Sequence, residues 1–258
     1  MSRSVLIINS SSRIDGNTDY VLSKYKELLE RHAFSVEYMY LSQMSIQSCL
    51  GCRVCFDKGE GQCPLKDDVA LIANKLAASQ LIILGSPIYV EDINGILKNW
   101  IDRMAFNCHR PHCFGKDAYV VCTSGMGTSN HGIQTMTRAV SAWGYKVIGK
   151  AKYTTGARIN IAAFEEKYSR TMRNEIRKIE AELNKACKKV SFMSLVYFKV
   201  QQKSYQRLKN RESFDYAYWL QKGWLNKNCN YFLEIKISKI KILLANILVP
   251  VILNVFLK

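Results

Sequence analysis

Over the first 150 residues, short unbroken apolar runs alternate with longer stretches whose apolar residues recur every three or four positions. The runs at 5–9 (VLIIN) and 81–84 (LIIL) lack polar alternation, which predicts strands covered on both faces. Further strands are expected at 35–41, 118–123 and 146–149. Between them, residues 18–31 set Val21, Leu22, Tyr25, Leu28 and Leu29 at helical spacing. Residues 67–78 do the same with Val69, Ile72, Ala73 and Leu76, and 94–104 and 134–143 also read as helices. This order predicts an α/β domain, a doubly wound parallel five-stranded sheet with helices on both faces. In such sheets ligands sit outside the carboxyl ends of the strands.

Charge divides the chain. Residues 1–128 hold 13 Lys and Arg against 13 Asp and Glu, so the whole net charge of +16 comes from 129–258. The change of character predicts a domain at 1–160 and a basic, aromatic-rich, mainly helical extension at 161–258. Within the extension, 165–190 reads as a charged, solvent-facing helix, and 214–224 (FDYAYWLQKGW) concentrates aromatic residues. Near the end, Ile240, Leu243, Leu244, Ile247, Leu248, Val251, Ile252 and Val255 share one helical face, with Lys239, Asn246, Pro250 and Asn254 in a narrow polar stripe. The apolar run at 242–257 is shorter than the ~20 residues that span a bilayer. Lys236, Lys239 and Lys241 precede it. Packing against the body or a second copy is expected first, peripheral membrane contact next, and a true span last. Nucleic acid is not an expected partner, because no recognised fold or repeated aromatic platform accompanies the basic charge.

A chain that is 48% hydrophobic can bury a large core. Nine cysteines are too few and too uneven for a secreted disulfide framework, and the first apolar run is too short for a signal-peptide core. A cytoplasmic location is expected.

Unusual residues gather at the strand ends. Residues 9–18 (NSSSRIDGNT) put hydroxyls and an arginine at a helix N-terminus, where free N–H groups and the dipole favour phosphate. An ordinary capped helix would read the same way. Neither a dinucleotide fingerprint nor a Walker loop is present. Residues 85–103 (GSPIYVEDINGILKNWIDR) leave the third strand, so Ile88, Tyr89 and Val90 would project from its end beside a stiff Pro87. Residues 123–130 (TSGMGTSN) leave the fourth, with glycines that permit close backbone approach.

The stretch CLGCRVCFDKGEGQC, at 49–63, holds Cys49, Cys52, Cys55 and Cys63 in a C-x2-C-x2-C-x7-C spacing followed by Pro64. Iron–sulfur loops use such spacing. Zinc sites more often use two separated knuckles, and zinc or free thiols stay open from the residues alone. At 108–113, CHRPHC fits no standard zinc spacing and is expected to lie near the ligand, with His109 and Arg110 toward substrate. Cys122 is expected in the core, and Cys187 and Cys229 carry no assigned role.

Ser10-Ser11-Ser12-Arg13-Ile14-Asp15-Gly16-Asn17-Thr18, Gly85-Ser86-Pro87-Ile88-Tyr89 and Leu97-Lys98-Asn99-Trp100-Ile101-Asp102-Arg103 together resemble the motifs of the flavodoxin-like NAD(P)H-dependent FMN reductase family. The likeness covers roughly residues 4–150, with Ser10 and Ser12 departing from the usual Gly and Pro. It implies that Ser11, Arg13, Asn17 and Thr18 hold the FMN phosphate and that Ser12 lines the turn. It also implies that Pro87, Ile88, Tyr89 and Val90, with Thr123, Ser124 and Gly125, frame the isoalloxazine. The cysteine run continuing to Asp67-Asp68 resembles the iron–sulfur flavoprotein branch, which implies a [4Fe–4S] cluster beside FMN and a homo-oligomer. The expected activity is hydride transfer from NAD(P)H to FMN and onward electron transfer to an unidentified acceptor. The alternatives are an FMN/iron–sulfur electron carrier that does not use NAD(P)H directly, and a non-catalytic scaffold with a membrane- or partner-binding tail.

Overall fold

The computed structural model describes residues 3–185, 190–207 and 212–256. In chain order the elements are β1 (Ser4–Asn9), α1 (Asn17–Arg31), β2 (Ser35–Tyr40), α2 (Val54–Asp57), α3 (Val69–Ala78), β3 (Leu81–Tyr89), β4 (Asp92–Ile93), α4 (Gly95–Arg103) and α5 (Phe106–His109). There follow β5 (Asp117–Ser124), α6 (Asn130–Ala142), β6 (Lys146–Thr154), α7 (Ile161–Leu183), α8 (Phe192–Arg207), α9 (Phe214–Gln221) and α10 (Lys239–Phe256).

Five parallel strands pair in the order β2-β1-β3-β5-β6, and the two-residue β4 folds back antiparallel on β3. Setting β4 aside, this is the flavodoxin-like 2-1-3-4-5 order, whose switch point lies between β1 and β3. The continuous apolar runs arise because each strand feeds two cores. Leu6, Ile8, Ile82 and Leu84 face α3, α4 and α6, packing with Ile72, Trp100 and Met136. Val5, Ile7, Leu81 and Ile83 face α1 and α7, packing with Leu22, Tyr25 and Ile176. Gly85 sits where a Cβ would collide with Leu22, so its bare backbone lets α1 close onto β3 beside the first loop.

Three expectations change. Strands three and five run to Tyr89 and Thr154 instead of ending at 84 and 149, because parallel pairing carries on through Pro87↔Thr123 and Ser124↔Thr154. The charged helix at 165–190 is not merely solvent-facing. It runs as α7 and buries Phe164, Met172, Ile176 and Ile179 in the second core, where Glu175 also accepts from the Tyr25 and Tyr153 hydroxyls.

The third change concerns the last helix. α10 does pack on the body, through Ala245, Val249 and Leu253 against Leu195 and Val196 of α8. The broader face identified in the sequence stays outside, with Ile240, Leu243, Leu244, Ile247, Leu248, Val251 and Val255 exposed. Only Ile252 of that set packs inward. No helix among the described residues is long and apolar enough to cross a membrane. Cys187 and Leu257 lie outside the described residues.

The aromatic segment forms a core of its own. Phe198, Trp219, Trp224 and Phe232 cluster together, and Phe114 stacks on Phe232 at 3.8 Å. Buried polar groups on α8 stitch this unit. The Gln202 amide donates to the carbonyls of Trp224, Asn226 and Cys229 at 2.7–3.0 Å, and the Lys199 ammonium donates to Cys229 O at 3.0 Å.

Candidate functional site

The turn after β1 is fixed by a buried polar network. Asn9 Nδ2 donates to Asp19 Oδ1 at 3.0 Å and to the Tyr38 hydroxyl at 3.1 Å, while Asn9 Oδ1 accepts the Ser11 N–H at 2.9 Å. The Tyr38 hydroxyl donates to Asp19 Oδ1 at 2.7 Å, and Asp19 Oδ2 accepts the Asp15 N–H at 3.0 Å. Burial, then the Asp19 carboxylate, pushes the Tyr38 phenol well above its usual range, so it stays a donor. These bonds tie the turn to β1, α1 and β2. Ser11 is buried, and its hydroxyl donates to Arg13 O and accepts the Arg13 N–H, both at 3.2 Å, while Ser12 and Arg13 stand exposed. Gly16 caps α1 in an extended conformation, leaving the first-turn N–H groups at the sheet's carboxyl edge.

Asn17 and Thr18 tie the loops together. The Asn17 amide donates to Thr155 Oγ1 at 2.8 Å and Gly156 O at 3.0 Å, and its oxygen accepts the Ile159 N–H at 3.0 Å. Thr18 and Thr123 hydroxyls meet at 2.7 Å, buried. Both side chains are thus engaged by the neighbouring loops, while Ser12 and Arg13 are exposed at the same turn.

The loop after β3 forms a tight hairpin, with Ile88 paired to Ile93 and Tyr89 to Asp92. Both turn residues, Val90 (φ 49°) and Glu91 (φ 67°), are left-handed, a conformation a β-branched residue seldom adopts. Strain of this kind concentrates where a ligand or switch needs it. Val90 is 99% exposed and Tyr89 45% exposed, and Met126, in the loop after β5, is 92% exposed. Thr123 and Ser124 are buried. Ser124 Oγ accepts the Gly127 N–H at 2.9 Å and Ser124 O accepts the Thr155 N–H at 2.9 Å. The nearest atoms to a Cβ built on Gly125 are 3.9 Å away, so the backbone there is open to a flat ligand. A helix N-terminus, an exposed arginine and exposed apolar side chains thus come from loops that leave the same edge of the sheet, chemistry compatible with a phosphate-bearing aromatic ligand.

Sequence reasoning missed several supports. The Asn94 side chain caps α4 through the Leu97 N–H and donates to Ser10 O at 2.6 Å, tying the first loop to the second. Ser10 Oγ is buried without a partner. Thr155 and Gly156 were hidden by ending strand five too early, although the Thr-Thr-Gly that follows it was a readable turn signal.

All four loop cysteines line one cavity of about 440 Å³, with Arg103, Phe106 and His112. Cys49 and Cys52 are exposed, and Cys55 and Cys63 half-buried. Gly51 (φ +65°) supplies the left-handed step between Cys49 and Cys52. Burial pushes the Cys55 thiol up, and the neighbouring Cys49 and Cys63 add to the effect against Arg110. The Asp67-Asp68 pair gains a physical role here. Asp67 accepts the Gln47 N–H at 2.9 Å and both arms of buried Arg103, and Asp68 accepts the Ser45 N–H at 2.7 Å. Burial would raise the Asp67 carboxyl, but Arg103 and the Gln47 and Val69 N–H groups hold it below its ordinary value. Arg103 in turn reaches Cys63 Sγ at 3.9 Å. The set suits a metal centre in number and chemistry. Among the described residues, however, no group of three or more such side chains is drawn around a common point.

In CHRPHC the His109 side chain is 45% exposed, whereas Arg110 points into the protein. The Arg110 side chain is fully buried and donates to Cys55 O at 2.9 Å and Glu60 Oε2 at 2.6 Å, both in the cysteine loop. It also pairs with buried Asp215 at the start of α9. His109 Nδ1 contacts the same carboxylate at 2.6 Å, and the Trp219 indole donates to His109 O at 2.7 Å. Arg110 therefore joins the cysteine loop to the C-terminal unit.

Fold and site define a flavodoxin-like, mononucleotide-binding class of protein. The sequence model of the NADPH-dependent FMN reductase family matches residues 3–157. The chain belongs to that family and is an FMN-dependent oxidoreductase. It is similar to an iron–sulfur flavoprotein of Archaeoglobus fulgidus, 28% identical over 236 residues, 84% of this chain and 98% of that one. It is also similar to one of Methanocaldococcus jannaschii, 34% identical over 99 residues, 38% of this chain and 50% of that one. Among solved structures, a flavone reductase shares the fold with a TM-score of 0.54 at 15% identity, covering 70% of this chain and 64% of that one.

Proposed function

We propose that this oxidoreductase takes hydride from NADH or NADPH and passes electrons to a separate acceptor, with the four-cysteine loop carrying a [4Fe–4S] cluster. FMN, when bound, supplies hydride acceptance and electron transfer, and a cluster supplies single-electron relay. The first-turn N–H groups of α1, with Ser11, Ser12 and Arg13, would hold the phosphate, while Asn17 and Thr18 keep the wall in place. Pro87, Ile88, Tyr89 and Val90 would frame one side of the ring system, and Thr123, Ser124 and Gly125 the other. Cys49, Cys52, Cys55 and Cys63 would ligate the cluster, and Arg103 would offset thiolate charge at Cys63.

The observation that carries this reading is α4. It is capped by Asn94, which ties the first loop to the second, and ends at Arg103, whose guanidinium reaches Cys63. Nine helical residues rise about 13 Å, so one rigid element spans the two sites. The iron–sulfur name of the relatives supports the cluster assignment. Isolation without oxygen, a visible spectrum and an iron and sulfide assay test it. The expected result is flavin with iron and sulfide in equal amounts, bleached by NADH or NADPH. Cys52→Ser should lose iron and keep flavin. Flavin without iron overturns the cluster, and failure of both nucleotides to bleach overturns the donor.

A further inference from the structure

α10 is held on the body by a narrow stripe, Ala245, Val249 and Leu253, all buried against α8. That packing fixes the rotation of the helix and turns a second apolar face outward. Ile240, Leu243, Leu244, Ile247, Leu248, Val251 and Val255 are 38–69% exposed, at i, i+3, i+4, i+7 spacing. The stripe runs from 240 to 255, about 22 Å at the rise of an α-helix. A continuous apolar strip of this length, left open to water, marks an interaction surface.

Charge identifies the occupant. Residues 235–258 contain four lysines and no acidic residue. Lys236 and Lys239 are exposed at the start of the helix, and Lys241 donates to Val190 O at 3.0 Å, tethering the helix at that end. A second copy would bring the same lysines and the same basic half to the contact. An anionic surface neutralises them. The helix has 18 residues and is interrupted by Pro250, so it suits lying in an interface and not crossing it. We propose that this face of α10 seats the protein on an anionic lipid surface, with the apolar strip at the headgroup–acyl boundary and Lys236 and Lys239 among the headgroups.

The test is co-sedimentation of the full chain with vesicles of equimolar phosphatidylserine and phosphatidylcholine, and with phosphatidylcholine alone. The chain should sediment with the anionic vesicles only, and salt should weaken the binding. Leu243→Asp with Ile247→Asp should leave the protein in the supernatant with its melting temperature unchanged, because both side chains already face water. Lys236→Glu with Lys239→Glu should weaken binding at least about 25-fold, from about fivefold per lysine at an anionic surface. Absence of the wild-type chain from the anionic pellet overturns the proposal, as does undiminished binding by the double aspartate variant. So does a dimer that this variant splits while neither form binds vesicles, since the face would then join two copies.

Discussion

Arg110 and Asp215 lie more than a hundred residues apart in sequence, yet form a buried ion pair, with side chains 0% and 5% exposed. Asp215→Asn keeps the shape and removes the charge. Losing one partner of a buried pair costs about 3–5 kcal/mol, because the other charge stays buried without compensation. Arg110 retains Cys55 O and Glu60, the latter 37% exposed, so the lower end, about 3 kcal/mol, applies. For a chain of this size that corresponds to a fall in melting temperature of about 6–12 °C. Trp219 is fully buried against Phe198 and hydrogen-bonded to His109 O, so tryptophan fluorescence senses this unit together with Trp100 and Trp143 of the main core. Thermal melts of the wild type, Asp215→Asn, Arg110→Met and the combined variant close a double-mutant cycle. The combined variant should recover part of the loss, since neither a guanidinium nor a carboxylate is then left buried without its opposite charge. A melting point for Asp215→Asn within a degree of wild type, or a combined variant with simply additive losses, would refute the clamp.

Val90→Gly removes the cost of a left-handed β-branched residue at a side chain that touches nothing. A gain of about 0.5–1 kcal/mol is expected after the added freedom of the unfolded glycine, read as a rise of about 1–4 °C. A lower melting point would show that the hairpin is not strained. Glu165 accepts from Ser169 at 2.6 Å and Tyr20 at 2.7 Å and pairs with Lys24 at 3.0 Å, and these hold its carboxyl down to about 2. A depressed carboxylate stabilises the fold above its unfolded pKa, and that contribution is lost as pH falls from about 4.5 toward 2. Glu165→Gln should therefore be less stable than wild type at neutral pH and lose its disadvantage at pH 2; parallel stability–pH curves would contradict the pairing.

The sheet was legible because strands buried on both faces need unbroken apolar runs, as at Leu6–Ile8 and Leu81–Leu84. Where strands run on through Gly85, Ser86 and Pro87, or along the half-exposed edge of β6, the pattern fades and the ends came out short. The flavin loops could be read because their chemistry is local, a few polar residues at a strand end. The network of Asn9, Asp19 and Tyr38 could not, since its members come from three elements. Arg110 failed for a related reason: periodicity reports which face is apolar, not which distant carboxylate will bury a guanidinium. In α10 the leucine-rich face was correctly found, but a second, smaller stripe won the contact with α8, because Ala245 allows close helix approach.

In the proposed function, the turn at residues 10–18 grips the phosphate of a flavin at the carboxyl edge of the sheet. Calorimetric titration of the flavin-free chain with FMN, beside Arg13→Ala, tests it directly. One molecule should bind per chain, and the variant should bind about 10- to 100-fold more weakly, the weight of a charge-assisted phosphate contact. A folded chain that gives no binding heat and no change in flavin fluorescence, or an Arg13→Ala variant that binds as tightly as wild type, would contradict it.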